Sequence, residues 1–429
     1  MNLLKRHVFV GMCGSGVICA AILTGVQSNR AEAAEPGARQ VFVSDREDGR
    51  FVETAGFMQA YIKSNKPKLA FDPGMHASEF PVWQEKLRAK VLELMAFPEV
   101  PPQPDPKRIW VKQRDGYQLQ RWEAYPEPHC VVPFLMLVPD GVSAQSPAPA
   151  VMCFPGYSGT KEGLAGEPEL PGWKVKWDPR KRHDNKFALH YARQGMIALA
   201  FDNPARGEAS SSIRGLSEVS LSAIWAGRNY LGISVFQKTQ VLKWLARQEF
   251  VDSDRIATCG HSLGSDPADI VAFLNPELVS AVIHNDFCCN WRERSIAMSG
   301  YPSTPHHVVP GMFAWFDAPD IQAALAPTPL LFTEGGRTNQ LERIRAAYAL
   351  KGARENLKVY YYEKYATPDK RPFDGKPIPE GLTSWDEYFK YANVDAANHR
   401  FHPEHAVPWL AKVFGMKTND ELWRWKGDE

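Results

Sequence analysis

At 429 residues, with 44% hydrophobic and 23% charged residues, the chain has the length and composition of a globular protein with a large core. Its formal net charge of +1 excludes the strongly basic surface that would attract nucleic acid or an anionic membrane. No long run of like charges indicates an interaction tail.

The first 33 residues are predicted to be a secretory signal peptide. A Lys-Arg-His segment at positions 5–7 precedes a mostly apolar stretch from Val8 to Val26, and a small-residue cleavage pattern follows at Ala31-Glu32-Ala33. The alternative is an uncleaved anchor, because the apolar stretch is nearly long enough to span a bilayer. Its glycines and the Ala-x-Ala pattern favour cleavage, so we expect a periplasmic or secreted protein that is not attached to a membrane.

Residues 34–105 are expected to form an N-terminal extension. A helix is predicted from Glu79 to Met95, and a proline-rich link, FPEVPPQPDP, follows it. The main domain is then expected to occupy residues 106–416, with a C-terminal tail at 417–429.

Within the main domain, short apolar runs alternate with helical patterns. The runs are too short for helices and lack polar alternation, so they predict buried strands. They lie at Ala148–Phe154, Met196–Phe201, Arg255–Cys259, Leu278–His284, Thr328–Thr333 and Leu357–Tyr362. Strands of this kind separated by helices are typical of a parallel sheet covered on both faces, which predicts a doubly wound, mostly parallel α/β fold.

Residues 288–320, between two predicted strands, are rich in aromatic side chains. The segment is either an ordinary insertion packed on the core or a lid over a binding site, since aromatic rings pack well against sugars and acyl groups. Both interpretations remain open on the sequence alone. The aromatic residues are Trp291, Tyr301, Phe313, Trp315 and Phe316.

The five cysteines that would remain after signal cleavage are too few and too scattered for a disulfide framework. We expect free thiols. The adjacent Cys288 and Cys289 are the one place where a strained disulfide is an alternative.

The strand that ends at Cys259 runs into Gly260-His261-Ser262-Leu263-Gly264, and the helical sequence DPADIVAFL follows. Gly-x-Ser-x-Gly between a strand and a helix is typical of a sharp turn that holds a serine hydroxyl above a sheet. Pro267 predicts that the helix starts late or bends. Ser262 is therefore a candidate nucleophile, which needs a base and an acid that orients the base.

Candidate bases occur in AANHRFHPEH, near the C-terminus, where His399 and His402 both follow the last predicted strand. The expected chain order in this fold is serine, acid, histidine. In the metal alternative, His399, His402 and His405 would bind an ion, but HExxH-type spacing and supporting acids are missing. No metal or organic cofactor is expected.

The motifs CFPGYSG, DNPARGEAS, VDSDRIATCGHSLGS, HNDFCC, PLLFTEGG and NHRFHPEH together resemble the α/β-hydrolase superfamily, and within it the dienelactone hydrolase-like and acetylxylan esterase-like secreted bacterial hydrolases. The resemblance extends from about residue 108 to residue 416. By position it implies that Ser262 is the nucleophile and that His399, in His-Arg-Phe, is the base. It also implies an oxyanion hole formed by the backbone N–H groups of Tyr157 and Leu263, although the family's His-Gly-Tyr turn begins here with Pro155.

The acid departs from the family pattern. Gly-x-x-Asp often follows the corresponding strand in the family, but here Thr338 stands three residues after Gly335. Glu334 at the tip of that strand and Asp286 at the tip of the preceding one are both candidates, with Glu334 slightly favoured.

The resemblance implies a serine carboxylic-ester hydrolase, and the predicted secretion suggests a carbohydrate ester such as acetylated xylan. The expected partners are thus small-molecule or polysaccharide esters. A serine peptidase or amidase of the same fold is one alternative. A binding protein that kept the fold without activity is the other, and the altered acid keeps it open.

Overall fold

The computed structural model of the protein describes residues 41–173, 177–298 and 305–427. The predicted signal peptide and Tyr301 of the aromatic segment lie outside these residues. Across the three described ranges, no helix combines the length and the apolar character that crossing a membrane requires.

Nine strands form one sheet in the described part of the chain, in the order β1-β2-β3-β5-β4-β6-β7-β8-β9. The first three strands are antiparallel to their neighbours, and β4 to β9 are parallel to one another. The strands are β1 (Lys107–Arg114), β2 (Tyr117–Ala124), β3 (Val132–Pro139), β4 (Ala148–Phe154), β5 (Ile197–Phe201), β6 (Val251–His261), β7 (Ala281–Asn285), β8 (Leu330–Phe332) and β9 (Leu357–Val359).

Both faces of the sheet are covered by helices, which confirms the predicted doubly wound fold. The helices are α1 (Thr54–Ser64), α2 (Phe80–Met95), α3 (Lys161–Ala165), α4 (Pro179–Asp184), α5 (Phe187–Arg193), α6 (Leu216–Trp225), α7 (Tyr230–Leu245), α8 (Ser265–Leu274), α9 (Trp291–Ala297), α10 (Ala318–Ala324), α11 (Thr338–Leu350), α12 (Trp385–Ala392) and α13 (Pro403–Val413).

Successive residues of β4 show how the two hydrophobic cores are built. Met152 and Phe154 belong to a core that also contains residues of α2, α7, α8, α10 and α11. Val151 and Cys153 point to the opposite face, into a core with residues of α3, α5 and α13. Because side chains alternate across a strand, only strands that are apolar at every position can serve both cores.

The helix predicted in the N-terminal extension is confirmed as α2. Its buried residues Phe80, Trp83, Leu87 and Val91 recur at helical spacing and lie in the same core as β4. The extension therefore shares a core with the sheet.

Several element boundaries differ from the sequence-based expectation; for example, β6 begins at Val251 rather than Arg255, and β9 ends at Val359 rather than Tyr362. The helix after Ser262 begins at Ser265, so the expected late start is wrong: Pro267 falls in the first turn, where a backbone N–H has no acceptor within the helix. Strand β7 begins at Ala281, three residues later than predicted.

The prediction of free thiols is confirmed, since Cys288 and Cys289 are unpaired like the other described cysteines.

Candidate active site

Ser262 directly follows β6, in the turn that leads into α8. Its φ of 51° lies in the left-handed region, which costs a non-glycine residue about 1–3 kcal/mol. The flanking glycines permit this turn because a Cβ on Gly260 would lie 2.2 Å from the Gly264 carbonyl oxygen. The pentad is therefore a strained turn that requires glycine at both ends.

We expect Gly264→Ala to destabilise the fold by about 3 kcal/mol or more. The added Cβ would lie 2.2 Å from the Phe154 carbonyl oxygen and 2.7 Å from that of Pro155, and neither backbone can move freely. Gly215→Ala is the matched control, since its Cβ would approach only the flexible end of Glu218. Thermal melting followed by circular dichroism measures both variants. Equal melting temperatures would contradict the close approach.

The histidine and the acid form a hydrogen-bonded pair. His399 Nδ1 lies 2.7 Å from Glu334 Oε2, and Glu334 is completely buried just after β8. Burial alone would raise the pKa of Glu334, but the charge of His399 and the hydrogen bonds from His399 and His402 lower it below its usual value. Burial would lower the pKa of His399, but the charge and hydrogen bond of Glu334 raise it to about 9.

Asp286, the other candidate acid, lies beside this pair. One oxygen of Asp286, one of Glu334 and one ring nitrogen of His399 are all within 4.8 Å of one another. The Asp286 carboxylate accepts the Phe287 N–H at 2.8 Å, and within the described ranges it has no hydrogen bond to His399. Burial raises the pKa of Asp286 to about 6. The structure therefore pairs His399 with Glu334.

The other oxygen of Glu334 holds the loop that carries His399. Glu334 Oε1 accepts the Arg400 N–H at 3.3 Å and lies 3.2 Å from His402 Nε2. His402 Nδ1 in turn lies 3.2 Å from Glu404 Oε1. His402 is thus buried behind the carboxylate.

Two asparagines fix the same loop. Asn285, the last residue of β7, donates from Nδ2 to the Arg400 carbonyl and accepts the His402 N–H, both at 2.9 Å. Asn185, after α4, accepts the Phe401 N–H at 2.9 Å. Residues 399–402 therefore have partners on three separate segments of the chain.

The histidines of the metal alternative fall into different groups, and each group contains at least one acid, so the expectation that supporting acids are missing is wrong. Among the described residues, ligand atoms of His402, Glu404 and His405 lie within 4.8 Å of one another, whereas His399 belongs to the group with Asp286 and Glu334. His405 also stacks on Tyr360, with ring centroids 4.0 Å apart.

A cavity of about 420 Å³ lies over the carboxyl ends of the strands, and Ser262, His399 and Asp286 line it. Tyr157 and Leu263 line it too. The turn before Tyr157 passes beside the serine, since a Cβ on Gly156 would lie 3.2 Å from Ser262 Cβ. The structure thus brings the predicted residues to one cavity, with Glu334 behind His399.

Two further segments form the rest of the cavity wall. Trp291, His306 and His307 come from the aromatic segment 288–320. Trp385 and Phe389 come from α12, which lies between β9 and the His399 loop and was not singled out in the sequence.

A buried polar pair below the cavity was also missed. His284 in β7 lines the cavity, and its Nδ1 lies 2.8 Å from Asp269 Oδ2, which also accepts from Gln322 Nε2. Burial would lower the pKa of His284, but Asp269 raises it to about 9. A histidine within the apolar run AVIHN was the available signal.

The sequence matches the model of the Abhydrolase family over residues 33–412. The chain belongs to this family. The fold and the family that the motifs predicted are thereby confirmed.

This abhydrolase is similar to a solved structure over most of its length. A protein from Bacteroides fragilis NCTC 9343, provisionally described as an acetyl xylan esterase, is 39% identical, with a TM-score of 0.79 over 86% of this chain and 97% of that one. Relatives at lower similarity include a glucuronoyl esterase from Teredinibacter turnerae T7901, which is 18% identical, with a TM-score of 0.49 over 72% of this chain and 86% of that one. Another is an acetyl xylan esterase from Paenibacillus sp. R4, which is 16% identical, with a TM-score of 0.43 over 71% of this chain and 93% of that one. Similarity at this lower level carries no information about activity. None of the curated proteins compared with the sequence matches it.

Proposed function

We propose that this abhydrolase is a secreted serine esterase that acts on carbohydrate esters such as acetylated xylan. Ser262 is the nucleophile, His399 the base and Glu334 the acid. The proposal depends chiefly on one observation: His399, which shares a cavity with the strained Ser262, has its Nδ1 2.7 Å from the buried Glu334 carboxylate. A histidine held this way presents Nε2 to a nucleophile.

The reaction is a two-step acyl transfer. His399 Nε2 accepts the proton of Ser262 Oγ as that oxygen attacks the ester carbonyl, and the N–H groups of Tyr157 and Leu263 stabilise the oxyanion. The alcohol leaves with the proton from His399. Water then attacks the acyl-enzyme, with His399 as the base again, and releases the acid.

Glu334 stabilises the imidazolium that forms in each step. The Arg400 N–H and His402 support its second oxygen. These contacts help to keep its pKa low, so the carboxylate stays ionised while His399 gains and loses its proton.

The carbohydrate part of the proposal is supported by the Bacteroides fragilis relative and by the cavity wall. Trp291, Trp385 and Phe389 give the cavity an aromatic wall against which a sugar ring can pack. We include in the proposal that segment 288–320 acts as a lid, and that residues 1–33 are the signal peptide ahead of an extension (34–105), a catalytic domain (106–416) and a tail (417–429).

The acid is tested by Glu334→Gln beside Asp286→Asn. We expect Glu334→Gln to fold and to lose about 10³- to 10⁴-fold in kcat, as amide replacement of a triad carboxylate does. Asp286→Asn, whose carboxylate has no hydrogen bond to His399 within the described ranges, should lose far less. The assay measures p-nitrophenyl acetate hydrolysis and acetate release from acetylated xylan, with an aminoacyl-anilide for the peptidase alternative. A larger loss in Asp286→Asn would reassign the acid.

The pH profile gives an independent readout of the same pair. Protonated His399 cannot accept a proton, so kcat/KM of the wild type should fall as the pH drops below about 9. Without the Glu334 charge, the pKa of His399 should be lower, and the acid limb of Glu334→Gln should move to lower pH. An acid limb at the same pH in both proteins would contradict the pairing.

A further inference from the structure

Arg294 is a cation in the active-site cavity that the proposed mechanism does not use. It lies on α9 and lines the cavity together with Ser262 and His399. Its guanidinium carbon is 4.4 Å from the centroid of the Trp291 ring and 4.0 Å from that of Trp385. Contacts of this kind hold a guanidinium by its face and leave its N–H edge available.

The guanidinium of Arg294 donates no hydrogen bond to any described residue and forms no ion pair with one. The other arginine of α9 is different: Arg292 donates to the carbonyls of Ile62 and Lys63 at 3.0 and 2.7 Å. A guanidinium has five N–H donors. In a partly buried position, donors without a protein acceptor need water or a ligand.

The carboxylates near Arg294 have other partners. Asp266, which lines the same cavity, lies 3.6 Å from His307 Nδ1. Asp317 accepts the backbone N–H groups at the start of α9, and Glu293 pairs with Arg337 at 3.5 Å. No acid in the described part of the chain is therefore ion-paired with Arg294.

We propose that Arg294 binds a carboxylate of the substrate, so that the enzyme prefers esters that also carry a free carboxylate. A guanidinium edge matches a carboxylate with two parallel hydrogen bonds. The inference rests on the proposed esterase function and specifies its substrate class. The carboxylate belongs either to the acyl part, as in a half-ester of a dicarboxylic acid, or to the alcohol part, as in a uronic acid.

Two matched substrate pairs separate these sources. For the acyl part, the p-nitrophenyl monoester of succinate is compared with p-nitrophenyl butyrate. For the alcohol part, an acetylated methyl glucuronoside is compared with the corresponding glucoside. We expect the ratio of kcat/KM for the charged over the neutral ester to fall about 10- to 100-fold in Arg294→Met for one pair, because a charge-assisted hydrogen bond is lost.

Two control variants make the test specific. Arg294→Lys keeps the charge without the planar edge and should retain part of the preference. Arg108→Met removes an exposed arginine near another indole, 5.8 Å from Trp122, and should leave the ratio unchanged. Circular dichroism checks that each variant folds.

The outcomes distinguish this inference from the esterase function. Suppose that the wild type hydrolyses the neutral esters, but that its ratio of kcat/KM for the charged over the neutral ester equals that of Arg294→Met in both substrate pairs. The carboxylate preference is then overturned while the esterase function stands. If the wild type hydrolyses no ester, both fail. Calorimetry of glucuronate and succinate binding to Ser262→Ala, with and without Arg294→Met, gives a readout that does not need turnover. Equal affinities would also overturn the inference.

Discussion

Ser262→Ala is expected to reduce kcat on a short p-nitrophenyl ester by about 10⁶-fold, as removal of a triad serine does, while the protein stays folded. The remaining rate should come from the N–H groups of Tyr157 and Leu263 and from substrate binding. Alanine occupies the left-handed backbone position of Ser262 at a cost similar to that of serine, so the melting temperature should change little.

Steady-state hydrolysis and thermal melting measure both properties of this variant. Ser222→Ala, an exposed serine of α6, is the matched control and should retain full activity. A folded Ser262→Ala protein with near-normal turnover would place the nucleophile elsewhere and remove the basis of the mechanism.

His399→Ala should cost about as much as Ser262→Ala, because base and nucleophile act as a unit and the loss of either is enough to stop the attack. His402→Ala should cost far less. His402 lies on the far side of the Glu334 carboxylate, and its removal leaves the 2.7 Å contact between His399 and Glu334 in place.

The two histidine variants are compared by kcat with the same ester. Added imidazole should partly restore activity to His399→Ala, since that side chain lines an open cavity, and should not change His402→Ala. A greater loss in His402→Ala would show that the base was placed three residues too early.

The parallel half of the sheet could be predicted because each of its strands coincides with or overlaps a short apolar run. The antiparallel strand β3 is buried at every position and carries a similar apolar signal, which was missed, whereas β1 and β2 could not be predicted in this way. No residue of β1 is buried, and β2 mixes buried and exposed positions without a regular alternation. Strands of this kind are determined by pairing with their neighbours rather than by their own hydrophobicity.

The candidate site shows a similar division. The Gly-x-Ser-x-Gly pattern and the order of the chain predicted where Ser262 and His399 lie, because the turn has strict steric requirements. From the sequence, the choice between Glu334 and Asp286 was only slightly in favour of Glu334, since both follow neighbouring parallel strands. It depends on side-chain distances, 2.7 Å for Glu334 and no hydrogen bond for Asp286 among the described residues.

Arg294 was missed for a different reason. Its sequence neighbourhood, WRERS, resembles any charged helix surface. What distinguishes it is the approach of Trp385, 91 positions away in the chain, and the absence of an acceptor among the described residues. Only the folded arrangement of α9 and α12 shows either feature.

The hydrogen bonds that hold residues 399–402 have a consequence for how the enzyme uses substrate binding. Because Asn185, Asn285 and Glu334 fix this loop, the proposed base His399 is positioned by hydrogen bonds within the protein itself. In the proposed mechanism a substrate does not have to order this loop, so the entropy of that step is lost once, during folding, and not in every turnover. The interaction energy of the proposed substrate's sugar and acyl groups would then remain available for discriminating between substrates.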